Sequence, residues 1–269
     1  MDNNTRLKRV PTYIESFDII TSGGIINGSL VLLMSEVGAG GREYMHTSIV
    51  GYYHAMNDSS KYAYAAASVH PSEVCYISQR TDAGDFYSMI EDEFELNDSE
   101  EYHNDTFKKY VKYIDAGKDT VFKTSDSKSE YFKNIISWLE NLKDNSVIFL
   151  DSLNPYLSYF SDDDSWNELI TMLYYLRRVA KSKKITFVFL LTKGVLASNK
   201  ETEISDVFDA VFCFFWETAA ASSMTKQRKV FVEKYDGNIS SIDALDNAVY
   251  NVSVSPRHGF EISNLKRVT

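Results

Sequence analysis

Leu30-Val31-Leu32-Leu33-Met34-Ser35-Glu36-Val37-Gly38-Ala39-Gly40-Gly41-Arg42 is the stretch on which the fold turns. Its first five residues are an apolar run that predicts a buried β-strand. Glycines then crowd into a turn. From Glu43 to Met56 the residues Met45, Ile49, Tyr52, Tyr53 and Met56 recur at helical spacing. Strand, glycine-rich turn and helix are the context of a phosphate-cradling loop, because glycines let the backbone wrap closely and the amides at the helix start point at an anion. The working pattern is G-x-x-x-x-G-K-[ST], in which the Lys meets the β/γ-phosphates and the hydroxyl holds magnesium. Aligned on Gly40, Ser35 stands at the first Gly, Gly41 at the Lys and Arg42 at the Ser/Thr. The shape of the loop is present and its catalytic side chains are not. Glu36, Val37, Gly38, Ala39, Gly40, Gly41, Arg42 and Glu43 are its candidate nucleotide contacts.

The chain has 269 residues, enough for one large domain or two small ones with a real core. An apolar content of 44 % argues for a globular protein over a disordered one. The net charge of -10 counts against nucleic acid, since phosphate binding needs a basic surface. Cys75 and Cys213 each sit in an apolar strand-like run, which suggests small core residues in a reducing compartment and makes a metal site from them improbable. Met1 to Arg9 is polar and lacks a signal-peptide apolar region, and no apolar run approaches the roughly 20 residues that span a bilayer. The expected location is the cytoplasm.

Val10 to Gly28 reads as a lead-in with turns at Ser22-Gly23-Gly24 and Asn27-Gly28. Asn57 to Pro71 has no clear period and reads as a surface insertion or a weak helix. Val74–Ser78, Val147–Ser152, Ile185–Leu191 and Ala210–Trp216 are further buried strands, with a shorter one at Tyr110–Ile114. Helices are expected from Asp82 to Phe94, with Phe86, Met89, Ile90 and Phe94 on one face, and from Ser129 to Leu142, with Phe132, Ile135, Ile136, Leu139 and Leu142. A long one runs from Asp162 to Ala180. Its opening acids suit the helix macrodipole and need no metal. Glu91 to Asp105 reads as a solvated acidic loop and Thr192 to Ile204 as a polar loop. Apolar strands separated by helices imply a mostly parallel sheet covered on both faces. Lys229–Tyr235, Tyr250–Val254 and His258–Ile262 suggest antiparallel strands at its edge. No linker or repeat interrupts the chain, so residues 1–269 read as one domain. The five histidines His46, His54, His70, His103 and His258 show no ligand spacing and read as structural.

This order of parts resembles the RecA superfamily, in particular its KaiC-like archaeal and bacterial branch, from about Val10 to Ile262. The run from Ser16 to Ser29 is similar to that branch's opening before the Walker A strand. Val147 to Ser152 resembles its Walker B strand, and Lys234-Tyr235-Asp236-Gly237 falls where the family has Lys-x-Arg-Gly. Glu36 to Tyr44 further resembles a group of archaeal RecA-like proteins with altered Walker A loops. The resemblance implies an α/β RecA-like P-loop NTPase core, a mostly parallel twisted sheet flanked by helices. It makes ATP or ADP the expected ligand, Asp151 the remnant that would order magnesium, and Gln79 and Lys234 further site positions.

The departures all concern hydrolysis. The Walker Lys and the magnesium hydroxyl are absent. The acids that activate the attacking water are matched by Gln79 and Arg80, which accept no proton at neutral pH. In the Lys-x-Arg element, which in the family reaches a neighbouring subunit's γ-phosphate, Lys234 is kept but Asp236 stands at the Arg. Phosphoryl transfer depends on positioning and charge neutralisation, so losing several such elements should leave little turnover. Arg42 sits one residue late, ~100° around the helix axis. It either curls back to a phosphate in place of the Lys or pairs with an acid, Asp151 or Glu43, where magnesium would sit. The leading expectation is a hydrolysis-deficient regulatory or scaffolding module, an oligomer using the ring or filament contacts of its relatives or a protein partner. The alternatives are a divergent ATPase using Arg42 or a partner's residue, and a DNA recombination or repair accessory protein contacting DNA through Thr192 to Ile204.

Overall fold

The structure is a computed structural model, and it describes residues 8–65, 68–96, 102–119, 128–218, 226–236, 248–256 and 258–263. The elements in chain order are β1 (Arg9–Val10), α1 (Glu15–Ile20), β2 (Ile25–Ile26), β3 (Leu30–Ser35), α2 (Gly41–Asn57), β4 (Val74–Ser78), α3 (Ala83–Glu93), α4 (Asn104–Tyr110) and β5 (Val111–Asp115). Then come α5 (Lys128–Asn141), β6 (Val147–Asp151), α6 (Asn154–Leu157), α7 (Asp163–Lys183), β7 (Thr186–Thr192), α8 (Ser198–Val207), β8 (Ala210–Thr218), β9 (Lys226–Tyr235), β10 (Val249–Ser255) and β11 (Gly259–Ser263).

Among the described residues β3 to β11 form one sheet in the order β11-β10-β9-β8-β3-β7-β6-β4-β5. Neighbours from β8 to β5 run parallel, and β9, β10 and β11 add antiparallel pairings at one edge. This is the α/β architecture expected from the alternation of apolar strands and helices. All six residues of β3 are buried, as a strand covered on both faces requires.

Side-chain alternation along each strand decides what faces what. Val31 and Leu33 of β3, Val74 and Tyr76 of β4, and Val147 and Phe149 of β6 join the core under α1, α2, α3 and β11. Leu30, Leu32, Cys75, Ile77 and Ile148 join the opposite core under α7 and α8. Asp151 shares the parity of Val147 and Phe149, so it faces the side covered by α2. The register Ser78↔Asp151 and Ser35↔Thr192 brings the ends of β4, β6, β3 and β7 together at one rim of the sheet.

Several local expectations need correction. The polar loop after β7 is short, because α8 begins at Ser198; its buried residues Ile204, Ser205 and Val207 come late, behind a charge-rich start that hid the helical period. Asn104–Tyr110 is a helix that buries only Phe107, too little for a periodic signal. In the acidic stretch Glu91–Asp105, Phe94 and Leu96 are buried and Glu91 accepts from Tyr102 and Asn104, so its described part is packed. Residues 97–101 of that stretch, the Phe132 side chain and Gly237 lie outside the described residues. Ser59–Ala65 is a kinked 3₁₀ segment. Met56 and Met89 are exposed, off the buried faces expected for them. Among the described residues no helix is long and apolar enough to cross a membrane.

Candidate functional site at the rim of the sheet

The glycine-rich turn lies at that rim, between the end of β3 and the start of α2. Gly38 and Gly40 carry φ of 72° and 121°, a region open mainly to glycine. The loop closes on itself through Ala39 N–H to the Glu36 carbonyl at 3.0 Å. Gly41, Arg42 and Glu43 open α2, and the first amides of a helix have no intrahelical acceptor. The strand, glycine-rich turn and helix expected from the sequence are present in this order.

The interior of the turn differs from a working phosphate site. A Cβ on Gly41 would stand 2.8 Å from the Ser35 Cβ, 2.9 Å from a Leu190 methyl and 3.0 Å from the Ser35 hydroxyl. Against the P-loop pattern the two positions are complementary in volume: Ser35 carries a side chain where the pattern has Gly, and Gly41 carries none where the pattern has Lys. The pocket left between Ser35, Glu36, Gly41, Arg42, Glu43 and Thr192 holds about 100 Å³. Ordinary ligand clefts hold roughly 300–1,000 Å³, so this one has room for a phosphate-sized group and little more.

Arg42 is committed elsewhere. Its Nε donates to Asp151 Oδ2 at 2.8 Å and its Nη2 to Oδ1 at 3.0 Å, a bidentate fork. The structure thus adopts the second of the two arrangements open to Arg42 from sequence. Tyr76 adds its hydroxyl to Asp151 Oδ2 at 2.9 Å. Burial pushes the Asp151 carboxyl up, but the hydrogen bonds and charge of Arg42, with help from Tyr76 and Arg80, outweigh it and hold the group below its usual value. Burial likewise opposes the charge on Arg42, and Asp151 more than offsets it.

Magnesium does not fit this arrangement. Both Asp151 oxygens already accept hydrogen bonds from a cation, and the position of the metal-holding hydroxyl is Arg42 itself. Among the described residues no three of His, Cys, Asp or Glu gather to hold a metal. The Asp151–Ser152 peptide is cis.

The remaining predicted positions divide. Gln79 and Arg80 follow Ser78 directly, beside Asp151 and exposed at the same rim. Lys234 is not brought there within its own chain. It pairs with Val211 near the start of β8, and its ammonium takes the Asp206 carbonyl at 2.7 Å, near the end of α8. Asp236, at the Arg position of the same element, accepts from Arg177 at 3.0 Å.

Two further sets of residues shape the loop. Trp216 donates its backbone N–H to Glu36 Oε2 and its indole N–H to the Val37 carbonyl, each at 3.0 Å. Arg228 stacks over the Trp216 ring and donates to the Gly38 carbonyl at 2.9 Å. Behind Asp151, His46 Nε2 meets the Tyr76 hydroxyl at 3.1 Å and His46 Nδ1 meets Glu93 at 2.9 Å. A signal for His46 was available: it lies four residues after Arg42, one turn along the same helix face. Trp216 and Arg228 left none, since they reach the loop only through the pairing of β8 with β9.

No protein-family model matches the chain, and no curated protein matches it. Solved structures do. A KaiC-like protein from the hyperthermophilic archaeon Pyrococcus horikoshii superposes with a TM-score of 0.65 at 14 % identity, covering 96 % of this chain and all of that one. The chain therefore has a RecA/KaiC-like fold.

Proposed function

We propose that this chain is a single-domain, cytoplasmic RecA/KaiC-like protein that has given up efficient ATP hydrolysis and works as a regulatory or scaffolding module. The observation that carries the reading is the bidentate Arg42–Asp151 pair. In this reading the guanidinium stands where a magnesium ion would neutralise phosphate charge, and phosphoryl transfer without that neutralisation is slow. The complementary volumes of Ser35 and Gly41 add to it, because no Lys side chain fits the cradle as it stands.

Nucleotide contact in this reading is weak and made by backbone amides of Gly41, Arg42 and Glu43. The partner is a second copy, in the ring or filament manner of the fold, or another protein. The acidic balance argues against DNA, and α8 replaces most of the loop that would have contacted it. A divergent ATPase would need Arg42 to leave a carboxylate that is 3 % exposed.

The test is a thermal-shift series with ATP, ADP and GTP, with and without magnesium, beside a phosphate-release assay. A ligand that binds only the native state raises its melting temperature. The expected result is a small shift that magnesium does not enlarge, and no turnover above background. Robust magnesium-dependent ATPase activity that Asp151→Ala abolishes would overturn the reading.

A further inference from the structure

Counting hydrogens along the series Arg42, Asp151, Tyr76, His46, Glu93 leaves one proton to be placed. Asp151 accepts three bonds, two from Arg42 and one from the Tyr76 hydroxyl. Tyr76 has a single hydroxyl hydrogen. With that hydrogen spent on Asp151, its oxygen only accepts, so His46 Nε2, 3.1 Å away, must carry hydrogen. His46 Nδ1 lies 2.9 Å from Glu93 Oε2. A carboxylate has no hydrogen to give, so either Nδ1 is protonated too, or Glu93 is the acid. In both cases His46 and Glu93 together hold one proton more than a neutral imidazole beside a carboxylate.

We propose that the His46–Glu93 pair is a proton-operated latch on the Arg42–Asp151 lock. When the pair gives its proton to solvent, through the partly exposed Glu93, His46 keeps hydrogen only on Nδ1, facing the carboxylate. Its Nε2 becomes an acceptor. The Tyr76 hydroxyl then turns from Asp151 to His46, and a Tyr76 lone pair faces Asp151 Oδ2. The buried carboxylate loses a donor and gains a repulsion, and its hold on Arg42 loosens. No bond other than hydrogen bonds changes, and the one proton lost is the one released.

The surroundings leave few other groups to do this. From α2 the charges nearby are Arg42 and Glu43. From β4 and the turn after it come Tyr76 and Arg80, the latter bearing on Tyr76 and Asp151. From α3 come Glu93 and the Phe86 ring, which meets His46 edge-on at 6.2 Å. From β5 comes Tyr113, stacked on Tyr76, and from β6 Asp151 itself. His46 is 3 % exposed and Glu93 is 29 % exposed, so Glu93 is the route to water.

The inference deepens the proposed function and rests on Arg42–Asp151 as its lock. The experiment is a pH titration of the full chain labelled with ¹⁵N-histidine and ¹⁵N-arginine, with the His46 signals assigned by their loss in His46→Gln. At the acidic end His46 should carry hydrogen on Nε2, with or without a second on Nδ1. On raising the pH it should convert to the Nδ1–H tautomer. Exchange of the Arg42 Nε hydrogen should accelerate in step. The gain over Glu93→Gln should be about tenfold, the factor that one hydrogen bond to a charged group is worth. In Glu93→Gln the carboxamide offers Nδ1 a hydrogen at every pH, so His46 should stay in the Nε2–H form without the transition. An Nδ1–H tautomer at every pH, or Arg42 exchange with the same pH profile in wild type and Glu93→Gln, would overturn the proposal. Should Glu93→Gln fail to fold, Arg42 exchange in wild type against His46→Gln decides: a matching pH profile in the two would overturn the proposal. None of these readouts involves nucleotide, so the latch can fail while the hydrolysis-deficient reading stands, and the reverse.

Discussion

Arg42→Ala puts the plug in the candidate site to a quantitative test. The substitution removes both donors that reach Asp151, at 2.8 and 3.0 Å, and leaves a carboxylate that is 3 % exposed with the Tyr76 hydroxyl. Breaking a buried pair from one side costs about 3–5 kcal/mol. Arg42 is itself 36 % exposed, so water enters the space it vacates. That lowers the expected loss to about 2–3 kcal/mol. Asp151→Asn is the asymmetric control: Arg42 remains in contact with water and the carboxamide still accepts from Tyr76, for a loss of about 1 kcal/mol. The pH dependence has a defined sign. In wild type the folded carboxyl is depressed, so it stabilises the fold above its unfolded pKa of about 3.9 and ceases to as the pH falls through the folded value. In Arg42→Ala burial acts on Asp151 without the guanidinium, and protonation relieves the penalty. The deficit of the variant should be largest at neutral pH and smaller at about pH 5. Urea denaturation at both pH values, with matching m-values, measures it. Equal losses for the two variants, or a deficit in Arg42→Ala that acid does not reduce, would refute the idea that the buried carboxylate carries the cost.

Gly41→Lys should destabilise by about 1–3 kcal/mol through overpacking against Ser35 and Leu190, and Ser35→Gly in the same chain should recover part of it. Strictly additive losses in denaturant would refute this complementarity in volume. Asp18, pushed up to about 6 by burial against the donors of Thr12, Tyr13 and Tyr64, should make stability fall as the pH rises. The loss is fully absent below the unfolded value near 3.9 and reaches about 3 kcal/mol above the folded one. Asp18→Asn should flatten that part of the stability–pH curve, and an unchanged slope would count against it. Trp216→Ala should speed amide exchange at Val37 and Gly38 while changing global stability by only about 1–2 kcal/mol, because it unclamps a loop more than it opens the core. Exchange at wild-type rates would show that the loop holds itself.

The readings that succeeded rest on long apolar runs or a clear helical stripe, and the elements that were missed had neither. Leu30–Ser35, Val74–Ser78 and Val147–Asp151 are apolar up to a single polar residue at the end, and a parallel sheet demands such runs. The glycines at positions 38 and 40 predicted a closely wrapped turn, and both take a positive φ in it. By contrast α4 has seven residues and α8 hides its buried positions at its far end. Lys234, placed by motif order in an element that would reach a neighbouring subunit, lies at the opposite end of the sheet from its own chain's turn at Gly38, where the pairing of β9 with β8 carries it.

From its residues alone, this protein was bound to be an α/β sheet with a glycine-rich turn between strand and helix, and without the Lys and hydroxyl of the P-loop pattern at that turn. Those are local facts, set by composition and spacing along the chain. Which acid Arg42 takes, that Tyr76 and His46 stand behind it, and that Trp216 and Arg228 clamp the loop were decided only by tertiary structure. Each depends on strand register and side-chain parity between segments far apart in sequence: Arg42 and Asp151 are separated by 109 positions, and Trp216 and Val37 by 179. Nothing in either segment encodes the other, and the sheet that aligns them exists only once the whole core has closed.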